Sequence, residues 1–187
     1  QKEAGDDASV QMQLSNISMQ VRLMPAIQML QTGETEAGLE ALAKIAESAP
    51  AEVKDQIRGI QVKVMLQVEK TDEAAAVLTT MAKQDKINAS SLNDVAWFIY
   101  EQAKENPSFS KPLIAAALAA AERAVDADPK NAAIVDTLAH LVHLSGDLDR
   151  AITLQTDAVK NSANAPPESA QGMADFLQQL KDEKAKK

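Results

Sequence analysis

Asp136, His140 and His143 stand at i, i+4 and i+7 in the stretch VDTLAHLVHL. On a helix that spacing turns all three side chains toward one side. A carboxylate with two imidazoles is a donor set for a divalent metal. Two helical turns, however, spread the outer donors over about 10 Å at ~1.5 Å per residue, long for one tetrahedral ion. We therefore expect no metal and no cofactor here. The same positions occur earlier in LNDVAWFIYE, where Asn93, Trp97, Tyr100 and Glu101 answer to Asp136, His140, His143 and Leu144. Trp97 and Tyr100 are the only Trp and Tyr of the sequence. Rings with polar edges favour recognition of another chain. Asn93, Trp97, Tyr100, Glu101, Asp136, His140 and His143 are accordingly the candidate set for a peptide or partner segment. A second placement stays open for Trp97, as ordinary core against the next helix.

Nothing in the sequence points to catalysis. Asp6 with Asp7, and Asp147 with Asp149, fall in polar linker and turn, where carboxylates are solvated or cap helices. A glycine-rich phosphate loop and a nucleophile elbow are both missing. With no cysteine, the chain offers neither a disulfide nor a thiolate ligand, although both cytosolic and exported helical proteins can lack cysteine. A formal charge of -8, from 27 acids and 19 bases, disfavours a phosphate backbone as partner. No run of eighteen apolar residues suggests membrane insertion.

What must hold the candidate residues is a set of helices. Hydrophobic residues make up 45% of the 187, but aromatics only 3%, and there are six Gly. Such Ala-rich, aromatic-poor composition suits close-packed helices. Breaks fall at Thr32-Gly33, Ala49-Pro50, Lys70-Thr71, 84–88, 106–112, 128–130, Ser145-Gly146 and 163–167, each with helix-ending or helix-starting residues. Gly33 and Gly146 are placed to close helices in the left-handed conformation. Ser110 is placed to cap a helix that carries Pro112 in its first turn. About nine helices follow, expected to pack as antiparallel hairpins.

The pattern repeats. Leu92-x-x-Val95-Ala96-x-x-Ile99 returns as Val135-x-x-Leu138-Ala139-x-x-Val142, and Ala117 and Ala124 return as Ala151 and Ala158. Small residues at these places let two helices cross closely. The nine extra residues of the third pair fall around KENPSFSKP (104–112), read as a lengthened, harmless turn. A fainter copy runs through Gly33, Gly38, Leu42, Ile45 and Pro50. The faintest lies around Ala75, Thr79 and Ala82, with Lys63 where a small residue belongs. The expected fold is all-α, a right-handed superhelical array of about four antiparallel pairs with a C-terminal capping helix. Residues 1–11 read as a disordered linker or terminus and 12–184 as the repeat domain. Its pairs lie near 12–48, 51–84, 89–127 and 131–162, and its cap at 167–184, with Phe176, Leu177 and Leu180 as an apolar stripe. Met12, Met19, Met24 and Met29 are expected as core filler. The opening at Gln1 suggests that a leader was removed or that the chain continues upstream.

Residues 90–162 resemble tetratricopeptide repeats. The phrases at Leu92 to Trp97, Asp136 to Ala139 and Gly146 to Ile152 are similar to those in the repeat region of exported bacterial redoxin-type thiol-disulfide oxidoreductases, where it follows a thioredoxin-like domain. That resemblance implies a protein-binding scaffold, an exported or periplasmic setting, and an adjoining thioredoxin-like domain as one partner. The family's cysteine pair has no counterpart here, so its activity does not carry over. Three readings remain: a scaffold binding a partner segment on its concave face, the accessory region of such an oxidoreductase, and a domain that self-associates through its first helix.

Overall fold

The computed structural model describes residues 21–106 and 109–186. The proposed linker at 1–11, the start of the first helix at 12, and Met12 and Met19 lie outside them. The described residues are helical and contain no strand. The helices are α1 (21–31), α2 (Thr35–Ser48), α3 (Ala51–Gln67), α4 (Thr71–Ala82), α5 (Ala89–Glu105), α6 (Lys111–Ala127), α7 (Ala132–Leu144), α8 (Leu148–Asn161) and α9 (Pro167–Ala185), with a 3-10 turn at Ser162–Asn164. Contacts divide the chain into two compact units that meet at Ile57 and Arg58, within α3.

In the first unit, α1 and α2 cross at Gly38. A Cβ there would lie 2.7 Å from the Leu30 side chain and 3.1 Å from the Ala26 carbonyl oxygen, so only glycine permits this approach. Ala26, Leu42, Ala46 and Ile57 form the core, with Leu23, Leu30 and Val53 packed on it. Met24 departs from the core-filler expectation: it is 61% exposed, beside Val21 at 65%. On α1 the inward position of that turn is taken by Ala26, leaving Met24 on the outer side.

In the second unit, α5 pairs with α6 and α7 with α8, α6 packs on α4 and α7, and α9 packs on α8. First helices also stack on first helices. A Cβ on Gly59 of α3 would lie 3.1 Å from Val95 of α5, and α5 contacts α7. This is the stacked-hairpin arrangement of a helical-repeat solenoid. Ala96, Ala117, Ala124, Ala139, Ala151 and Ala158 are all fully buried, with Leu92, Val95, Leu138 and Leu141 filling the space beside them. The small side chains thus lie where the helices meet. Ser110 caps α6 by accepting from Leu113 N–H, Asn88 caps α5, and Asp147 caps α8.

Three hairpin turns share one backbone motif. Glu34 N–H donates to Met29 C=O, Lys70 N–H to Met65 C=O, and Asp147 N–H to Val142 C=O. The residue before each donor has positive φ: Gly33 at 84°, Glu69 at 61° and Gly146 at 94°. The middle turn carries Glu where the others carry Gly, which corrects the faintest copy of the repeat by one residue. Counting from Glu69, the counterparts of Ala139, Ala151, Gln155 and Ala158 are Val62, Ala74, Leu78 and Met81. All four are fully buried. Lys63 instead reaches out over the Phe98 ring, 5.5 Å from its centroid.

The extra residues of the third pair are also corrected. They do not simply lengthen a turn, because α5 runs 17 residues against 13 in α7, and α6 runs 17 against 14 in α8. Much of the addition is helix.

Two outcomes are expected. Ala139→Leu overpacks the α7 crossing and lowers stability by about 1–3 kcal/mol, measured as a shift in urea midpoint. Glu69→Gly relieves a left-handed non-glycine residue and raises stability by about 1 kcal/mol in the same assay.

Candidate functional site

Helices α5, α7 and α9 carry a continuous run of rings. Trp97 and Tyr100 of α5 have centroids 5.2 Å apart, and His140 of α7 lies 5.2 Å from Trp97 and 4.7 Å from Tyr100. On its other side His140 stacks on Phe176 of α9, at 3.6 Å between centroids and 12° between planes. His143, one turn further along α7, meets the edge of the same Phe176 at 5.7 Å. Helical spacing makes this possible, since His140 and His143 lie on one face of α7 as Trp97 and Tyr100 do on α5.

Polar links tie the rings together. Tyr100 Oη lies 3.0 Å from His140 Nδ1, and His143 Nε2 donates to Glu183 Oε2 at 2.7 Å. Asp136 Oδ1 accepts from Gln155 Nε2 at 2.6 Å, and the same Nε2 donates to the Met173 carbonyl at 2.9 Å. Gln155 is fully buried. It stands where Leu42 and Leu78 stand in the earlier repeats, and that substitution of polar for apolar was the sequence signal of a polar junction. Phe176 offered no such signal beyond the stripe it shares with Leu180, because contact with a third helix leaves no local spacing.

Asp136, His140 and His143 share a face but not a centre. His140 Nε2 is 3.8 Å from Asp136 Oδ2, while His143 turns to Glu183. Among the described residues, no group of three or more His, Cys, Asp or Glu is placed to hold a metal.

The rings floor a groove of about 1550 Å³. Asn93, Trp97, Tyr100, Asp136, His140 and His143 all line it, joined by Leu144 of α7, Phe109, Ile114 and Leu118 from around α6, and Met173 and Phe176 of α9. Glu101 does not line it. One residue beyond Tyr100 turns about 100° around the helix, and its carboxylate lies 3.6 Å from Lys104 Nζ. Trp97 meets both placements left open by the sequence: it packs against His140 yet is half-buried at the groove. Among the described residues, Asn93 Oδ1 and Gln155 Oε1 are buried with no hydrogen-bond partner.

Burial sets the electrostatics. It raises the Asp136 carboxyl above its ordinary value, against the lowering effect of Gln155. It also raises the Tyr100 phenol, helped by Glu101 and Asp136. The His140 imidazole is lowered to about 4, first by burial and then by the charges of His143 and Lys104.

No protein-family model matches the chain, and no curated protein matches it in sequence. Among solved structures, a MamA RS-1 ArsTM double mutant is similar, with 13% identity over 89% of this chain and 96% of that chain, at a TM-score of 0.49. A likeness at that level carries no argument about function.

His140 predicts a pH dependence. Its folded pKa lies below the ordinary imidazole value, so the unfolded chain binds the proton first. Its contribution is intact above about 6.5 and is lost as pH falls toward about 4. The lowering from 6.5 to about 4 corresponds to at most about 3 kcal/mol. Asp136, shifted upward, acts in the opposite sense over its own range. Measured against His140→Phe, wild type should lose relative stability as pH falls from about 6.5 toward about 4.

Proposed function

We propose that this chain is a protein-interaction scaffold that receives a partner segment in the groove lined by α5, α7 and α9. The observation that carries the reading is the groove of about 1550 Å³ floored by the ring run, in which Trp97 is half-buried and Leu144 is 37% exposed. Large rings left partly open in a concave wall are the surface that recognition of another chain favours. Trp97, Leu144 and the edges of the ring stack supply the apolar contact that anchors a segment. The reading assigns no catalytic step, metal or cofactor to these residues, and its partner is a polypeptide rather than nucleic acid.

The resemblance to redoxin-type oxidoreductases makes an adjoining thioredoxin-like domain one candidate occupant, with an exported or periplasmic setting. Both rest on the phrases at 92–97, 136–139 and 146–152 alone. Among the described residues no helix is long and apolar enough to cross a membrane.

A second reading, self-association through α1, is favoured by the exposed pair Val21 and Met24. Light scattering over a range of concentrations decides it, and a monomer at every concentration removes it.

Trp97, as the sole tryptophan, reports on the groove directly. Peptides selected on the chain from a random library should change its fluorescence. Leu144→Glu, at a partly exposed groove position, should weaken them by about tenfold or more while leaving the helical circular dichroism unchanged. Equal affinity in the two chains would remove the groove from the account.

A further inference from the structure

The groove is not electrically even. Its lining includes Lys104 near the end of α5 and Lys111 at the start of α6, and both are exposed. Lys104 Nζ lies 6.0 Å from the centre of the Tyr100 ring, at the edge of the ring floor. Its contact with Glu101, at 3.6 Å and with both side chains largely exposed, neutralises it only in part. Lys111 has no ion-pair partner among the described residues. From a different helix, α9, the lining includes Asp175, whose carboxylate accepts from Gln171 at 2.8 Å. Asp136 lies further along the ring floor, beside His140, where its carboxylate accepts from Gln155 at 2.6 Å. A chain whose net charge is -8 thus presents a cationic lip to one side of this groove. Both lysines belong to the stretch that lengthens the third pair.

We infer that the groove accepts an apolar polypeptide segment flanked by acidic residues, with the acidic end lying at the lip formed by Lys104 and Lys111. This rests on the groove being a binding site and adds the chemistry and direction of its occupant. Apolar side chains cover Trp97 and Leu144, and the flanking carboxylates meet the two ammonium groups. Asp175, contributed by α9 rather than by the lip, repels the same acidic end and so favours its placement at the lysines. Charges at a rim of this kind act on the rate of encounter and on the choice of partner, and they are screened by salt.

The test uses the whole chain and a random peptide library displayed on phage, selected in parallel on wild type and on Lys104→Glu/Lys111→Glu. Both substitutions are at exposed positions, and a carboxylate at position 111, in the first turn of α6, suits the helix dipole; circular dichroism verifies the fold. Wild type should enrich apolar peptides with acidic flanks, and the variant should lose that preference. A wild-type-selected peptide, titrated through Trp97 fluorescence, should bind the variant about tenfold more weakly at low salt, with the gap closing at high salt. Enrichment of the same peptides by both chains, with equal affinities, overturns the charge assignment and leaves the groove standing. Failure of both chains to enrich any peptide overturns both.

Discussion

Close crossing of helices at small side chains is the constraint on which this protein rests. In the second unit Ala96, Ala117, Ala124, Ala139, Ala151 and Ala158 are buried without remainder. In the first, the crossing is so tight that Gly38 has no room for a Cβ beside Leu30. Alanine gives little hydrophobic stabilisation of its own. Its value is that it lets the larger neighbours, such as Leu92 and Leu141, interlock across a short interhelical gap. Everything that projects from the first helices, including the ring run, is placed by those crossings.

Ring contacts then carry the geometry from one helix to the next. Trp97, His140 and Phe176 come from three helices and touch in sequence. His140 is held neutral between them by burial, and Asp136 beside it is pushed the same way. The buried amide of Gln155 joins α7 to α9 beneath this layer. A polar link in an apolar layer is costly unless bonded; the Nε2 of Gln155 is bonded to both helices, while its Oε1 has no partner among the described residues.

Legibility in the sequence followed the periodicity. The all-helical class, the buried alanines, the left-handed Gly33 and Gly146 and the Ser110 cap were readable because each leaves a local mark of residue type. The second hairpin reads one residue out of step because its turn uses Glu69, whose identity does not announce a positive φ. Six of the seven candidate residues line the groove, since repeat alignment gives the face of a helix. Glu101 was lost to the difference between facing a groove and standing one residue past it. Phe176, Phe109 and Leu118 were invisible as site residues, because a groove is defined by distant helices and not by spacing along one.

The lengthened third pair has a consequence for how such a protein can change. Lys104, Phe109, Lys111 and Ile114 all edge the groove, yet none of them is one of the alanines at the helix crossings. Framework and rim are therefore separate parts. Exposed side chains such as Lys104 and Lys111 can be recharged with little disturbance to the interlocked interior, to which the fully buried Leu113 belongs, so the charge of the rim can drift in evolution while the scaffold stays fixed.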